Sequence, residues 1–223
     1  MIDKLSTFQI VINGNFEPFY VGKTDILQLS QTFSNFLLFP KEVTEQRIEF
    51  NPQSRQQNIT INQSFDLVSA NEKCTLQVRP DVIVYNYNFT SSETLSSIIE
   101  VFIRLLNTIE KQIKFQRAVR LGAVLRNQNA YKNIEKYKEE NHLDAGIVEH
   151  NSKIVRREKL GSISELVNFV CFKEFFSKEL GVPQDLVNIT YDINTLADKD
   201  APRFSVQEIE NFLNDVQSLL VRE

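Results

Sequence analysis

Hydrophobic residues in this chain recur at two spacings. Over Asp81–Phe89 they alternate, with Val82 and Val84 on one side and Ile83, Tyr85, Tyr87 and Phe89 on the other. Two largely apolar sides are what a strand in the middle of a sheet presents. Beyond it the period lengthens. Leu95, Ile98, Ile99, Phe102, Leu105, Leu106, Ile109 and Ile113 follow helical spacing. This predicts the longest helix, capped by Ser91 or Ser92 and running to Phe115. Helical spacing also marks Ile26, Leu29, Phe33, Phe36 and Leu37 ahead of Pro40, with a threonine or aspartate cap at Thr24 or Asp25. A last helix is predicted over Ser205–Arg222, with Ile209, Phe212, Leu213, Val216 and Leu220 inward.

Shorter β-type runs fill the remainder. Phe8–Ile12 is stopped by Asn13-Gly14-Asn15, and Arg47–Phe50, Asn58–Asn62, Phe65–Val68 and Thr75–Val78 read as an antiparallel meander. Arg117–Arg126 and Asp185–Asn194 are further strands, and Tyr131–Glu140 is a charged helix. His142–Leu160 suggests a hairpin around Asn151-Ser152. From Ser162 or Ser164 an aromatic-rich helix is expected through Leu180, closed by Gly181 with Pro183 beyond. Asp81–Tyr87 is echoed by Asp185–Tyr191, each leading towards a serine cap and a long helix. The fold expected is therefore α+β: a curved antiparallel sheet packed against long amphipathic helices, in two pseudo-symmetric halves. It would form one domain over residues 1–223, with halves 1–115 and 116–223.

Composition adds a large aromatic core, since 17 residues are phenylalanine and none is tryptophan. Cys74 and Cys171 are read as reduced thiols, and no secretory signal or membrane-length apolar run is seen, so a cytoplasmic protein with no membrane contact is expected.

Part of the sequence resembles a known group. The carrying order is Gln77-Val78, Pro80-Asp81, Val84 and Asn86, then the long helix, Val119-Arg120-Leu121-Gly122 and Asn127. Tyr191-Asp192-Ile193, Phe204 and Glu208 continue it. In these features the chain is similar to a sporadically distributed prokaryotic family of α+β proteins of unknown function, roughly 250 residues long. That resemblance implies a fold and supplies no activity.

Catalytic patterns are not found. His142 and His150 are the only histidines, and no G-x-S-x-G occurs. Gly22-Lys23-Thr24 copies the end of a phosphate-binding loop, but Glu17 stands where its first glycine belongs; a turn and a helix cap account for it. Asp81 and Asp192 at the echoed strands suit turn amides as well as acid–base work. His142, Asp144, Glu149 and His150 could meet around a metal ion if the chain folds back at Ala145-Gly146, although a solvated hairpin holds such residues too. No cofactor is expected.

Charge is segregated. The chain has a formal net charge of −4, yet residues 111–159 hold 12 Lys/Arg against six Asp/Glu. Two functions follow. The first is a non-enzymatic interaction or assembly subunit of a bacterial or phage-related system, self-associating or bound to a protein partner of opposite charge. The second is nucleic-acid binding through Arg117, Arg120, Arg126, Lys132, Lys136, Arg156, Arg157 and Lys159, with Tyr131 and Tyr137 as stacking surfaces.

Overall fold

A computed structural model describes residues 5–51, 53, 56–90, 92–113, 115, 117–131, 133–144 and 146–222. The strands are β1 (Leu5–Asn13), β2 (Leu38–Asn51), β3 (Gln56–Ser69), β4 (Cys74–Val78), β5 (Val82–Asn88), β6 (Arg120–Asn127), β7 (Glu149–Leu160), β8 (Glu165–Phe176) and β9 (Leu186–Thr195). The helices are α1 (Ile26–Phe33), α2 (Leu95–Gln112), α3 (Ile134–Glu140) and α4 (Val206–Val221). The nine strands of the described residues lie in one sheet, in the order β2-β3-β4-β5-β1-β6-β9-β8-β7. Every pairing is antiparallel.

The alternation along the central strands sorts the two faces. Phe8, Ile10 and Ile12 of β1 are buried, as are Ile83 and Tyr85 of β5, Leu121, Ala123 and Leu125 of β6, and Val187 and Ile193 of β9. The helices cover this face. The Tyr85 ring lies 4.8 Å from Phe102 of α2, and Tyr137 of α3 lies 6.2 Å from Phe175 of β8. Helix α4 packs on α2 and β6, and α1 shares a cleft with the end of α2 through Leu29 and Gln112. A stripe spaced at 3.6 residues can bury against only one layer, so the helices form that layer and the other side of the sheet stays open.

The curved sheet embracing the helices is not what forms. The sheet is open, and its end strands β2 and β7 each pair on one side only. Its width comes from joining two runs of strands at the β1–β6 seam, where Ile10 pairs with Ala123 and Ile12 with Leu121. The echoed strands β5 and β9 flank that seam. Five strands stand on one side of it and four on the other, so the two sides are not strand-for-strand repeats.

Several local expectations are corrected as well. The aromatic helix over 162–180 is strand β8, and the chain reverses before it at 161–164, not at Asn151-Ser152, which lies inside β7. The short runs over 47–68 are parts of two 14-residue strands. Pro40 sits within β2, an edge strand, where a missing N–H is tolerated. Helix α1 stops at Phe33, and Leu37 turns the chain into β2 with φ +55°. Asp25 caps α1, accepting from the Leu27 and Gln28 amides at 2.9 and 3.2 Å, while Thr94 caps α2. Ser91 lies outside the described residues.

Candidate nucleic-acid interface

In a strand, alternate side chains point to opposite faces, so register alone gives the membership of the uncovered face. One row across it runs Lys153, Phe172, Thr190, Arg126, Thr7 and Asn88, each paired with the next. A second runs Arg157, Asn168, Asn194, Gly122, Val11 and Val84. Lys159 of β7 and Arg120 of β6 belong to the same side by alternation. With strands spaced about 4.8 Å apart, Lys153 and Arg126 originate about 14 Å from one another across Phe172 and Thr190.

Partners divide these cations into held and unheld. Arg120 donates to Asn194 Oδ1 at 2.8 Å and to the Thr195 carbonyl at 3.2 Å. Among the described residues, Arg126, Lys153, Arg157 and Lys159 form no ion pair, and all four are exposed. The middle of the face is amide-rich: Gln9 donates to Asn86 at 2.7 Å, and Asn194 donates to Asp192 at 3.0 Å. Asp192 and Glu174 are acids on this side. At the far end Arg79 is bound by Glu45 and by Asp66, the latter at 2.7 Å, so its charge is compensated. The unheld positive charge therefore collects on the β6 to β7 end.

The remaining predicted contacts fall elsewhere. Arg156 points to the helix-covered side, 4.1 Å over the Phe169 ring, with Glu158 at 2.7 Å. Lys136 is on α3 beside Glu140, and Arg117 precedes β6 near Glu208. Lys132 lies outside the described residues. Tyr137 is fully buried, and Tyr131 sits against it and under Lys173. The α3 segment belongs to a structural pairing: Lys138 donates to Asp185 at 2.7 Å, holding that carboxylate below its ordinary range and raising the lysine.

The suggested metal ligands are placed along one connection. His142 is exposed at the end of α3 with φ +54°, Asp144 follows it, and Glu149 and His150 open β7. The His150 ring faces Tyr137, its Nδ1 3.5 Å from the hydroxyl. Among the described residues no three His, Cys, Asp or Glu side chains gather to hold an ion. Asp81 serves through its carbonyl, which accepts from the Gly14 amide at 3.0 Å.

Two members of the face, Lys153 and Phe172, are not marked by charge clustering or helical spacing and come from strand register alone. The signal for Phe172 is the alternation of Leu166, Asn168, Val170 and Phe172 with Val167, Phe169 and Cys171.

Comparison with known proteins gives little. No family model matches the sequence, and no curated protein matches it. Among solved structures, the rolling-circle replication initiator protein from Geobacillus stearothermophilus is similar over 98% of this chain and 83% of that one, at 12% identity and a TM-score of 0.31. At that score the likeness carries no argument about this chain. No described helix is long and apolar enough to cross a membrane.

Proposed function

We propose that the chain binds single-stranded nucleic acid on the uncovered face of the β6–β9–β8–β7 end of the sheet. The observation that carries the reading is the row Lys153–Phe172–Thr190–Arg126, an exposed cation on either side of an aromatic ring, with Arg157 and Lys159 beside it. A cationic track with an aromatic surface is what a flexible strand needs: phosphates meet the charges and a base stacks on the ring. The amide of Asn168 adds a hydrogen-bonding group without adding repulsion. The overall charge of −4 does not oppose this, because association is governed by the local field of the patch.

The test is fluorescence anisotropy with a labelled oligothymidylate and its RNA counterpart over a range of salt. Affinity should fall with salt, and Arg126→Ala with Arg157→Ala should reduce the log–log slope by about 0.7 per lost phosphate contact. An affinity indifferent to salt and to both substitutions would overturn the reading.

A second reading, self-association, rests on a different observation. Beyond β4 the β2–β3 hairpin continues as a two-stranded ribbon. Ile48, Phe50, Ile59 and Ile61 share one face of it, each more than half exposed. Apolar groups clustered in this way mark a docking surface. A second copy is the partner that would place the same four residues opposite themselves.

A further inference from the structure

The sheet ends on β7, which pairs with β8 in unbroken register and with no other strand of the described residues. Its outer side presents a row of main-chain N–H and C=O groups, a template for another strand. Such edges are blunted by proline, by bulges or by charge. At the opposite end β2 carries Pro40, whereas β7 has neither proline nor bulge. Its middle is also bare on both faces: Ile154 on the helix side is 52% exposed and Val155 on the open side 58%. Charge is the remaining protection, with Lys153, Arg156, Arg157 and Lys159 against Glu149 and Glu158.

Whether those charges forbid pairing depends on register. A second copy related by a two-fold axis normal to the sheet meets β7 antiparallel, with both uncovered faces on the same side. Centred on Ile154, that arrangement sets Glu149 opposite Lys159 of the second copy, His150 opposite Glu158, Asn151 opposite Arg157 and Lys153 opposite Val155. No like charges face one another, and Ile154 meets its own counterpart on the axis. Moving the centre to Lys153, Val155 or Arg156 instead sets Lys153 against Lys153, Arg157 or Lys159 of the second copy, respectively. Like charges directly opposite oppose pairing and unlike charges favour it. Registers centred further out leave five or more of the 12 residues of β7 unpaired. One register therefore combines complementary charge with nearly the full length of the strand.

Each edge still carries more cations than acids, so two bare copies repel at longer range. A polyanion on the adjoining uncovered face offsets that excess. We propose that two copies of the chain pair through β7, centred on Ile154, when single-stranded nucleic acid lies across them. The proposal rests on the nucleic-acid reading above. The axis lays the row Lys153–Phe172–Thr190–Arg126 and its counterpart on one continuous surface, so a strand leaving one row meets the other. The two Phe172 residues then stand three strand spacings apart, about 14 Å across the sheet.

The test is disulfide trapping in the full chain, with an oligothymidylate long enough to cross both rows. Under mild oxidation Ile154→Cys should give a covalent dimer, because in this register only the residue on the axis meets its own counterpart at a distance a disulfide can span. Val155→Cys, similarly exposed, should not, and the parent chain controls for Cys74 and Cys171. Glu149→Lys adds a cation to the exposed end of the strand, so each copy should keep its affinity for a short oligonucleotide. In the Ile154→Cys background it should nevertheless abolish the covalent dimer, because it faces Lys159. Oligonucleotide bound in anisotropy without a covalent dimer would overturn the pairing and leave the nucleic-acid reading in place. Trapping through Val155→Cys, or a dimer that survives Glu149→Lys, would do the same. A parent chain that binds no oligonucleotide would overturn both.

Discussion

Arg156 and Arg157 are adjacent in the chain and face opposite sides of the sheet. The Arg156 guanidinium lies 4.1 Å from the Phe169 ring centre on the helix-covered side, whereas Arg157 pairs in register with Asn168 on the uncovered side. The two should therefore separate on substitution. Arg157→Ala is expected to weaken oligonucleotide binding about three- to tenfold at low salt while leaving stability intact. Arg156→Ala is expected to cost about 1 kcal/mol of stability, from the lost ring contact and aliphatic packing, without changing that affinity. Anisotropy and chemical denaturation of the two single variants check this.

Glu93 sets a dependence on acid. Partial burial opposes its charge, but hydrogen bonds from Lys73, the Thr90 amide and Tyr87 together outweigh burial and bring it down to about 2. A carboxylate lowered in the folded state stabilises fully above its unfolded range, near 4.5, and that contribution is lost as pH falls from there towards 2. Glu93→Gln should destabilise the protein by about 1–3 kcal/mol at neutral pH. The gap to the parent should close progressively below pH 4.5, measured by urea unfolding at several pH values. A gap that stays constant would contradict the assignment.

Thr195 ends the β6–β9 ladder by a side chain. Its hydroxyl accepts from the Leu121 amide at 3.0 Å, and the residue is fully buried. Thr195→Val preserves the shape and removes the acceptor, leaving a buried N–H unmade. The expected cost is about 1–3 kcal/mol, whereas Thr195→Ser should recover most of it. Thermal unfolding of the pair separates the hydrogen bond from the methyl packing.

The ribbon makes its own prediction. If Ile48, Phe50, Ile59 and Ile61 face a second copy, sedimentation should show association rising with protein concentration. Ile59→Lys with Ile61→Lys should return the chain to monomer without lowering its unfolding midpoint, since both side chains are exposed. Unchanged association in that variant would remove the second reading.

How much of this was legible in the sequence depended on the length and purity of each pattern. Val82–Asn88, Leu95–Gln112 and Val206–Val221 could be read because each repeats one period along its whole length, with one face in the core. Segment 165–176 could not, because it satisfies two periods at once. Phe169, Phe172 and Phe175 stand three apart like a helical stripe, while Val167, Phe169, Cys171 and Phe175 also mark one face of a strand. Pairing with β7 and β9 decides between them, and such pairing is non-local. The long hairpin was seen only in fragments, since residues such as Glu45, Gln46, Asn62 and Gln63 project past the core and carry no apolar alternation. The interface was half visible. Arg120, Arg126, Arg157 and Lys159 were chosen for charge, but charge cannot say which face a strand residue takes until its register is known.

The position of β1 governs the order in which the molecule can assemble. Ile10 stands in register between Tyr85 on one side and Ala123 on the other, so a strand that precedes both of its partners in the chain sits in the middle of the finished sheet. The hairpins β2–β3 and β7–β8 join neighbours in sequence and can close early. The strand between the two halves of the sheet waits for partners made much later, and closing such long loops is the slow part of folding. Phe8, Ile10 and Ile12 are therefore made before the strands that flank them, and they stay uncovered on one side until β6 has followed. In that interval β1 is an apolar strand with a free edge, the kind of segment that a chaperone shields.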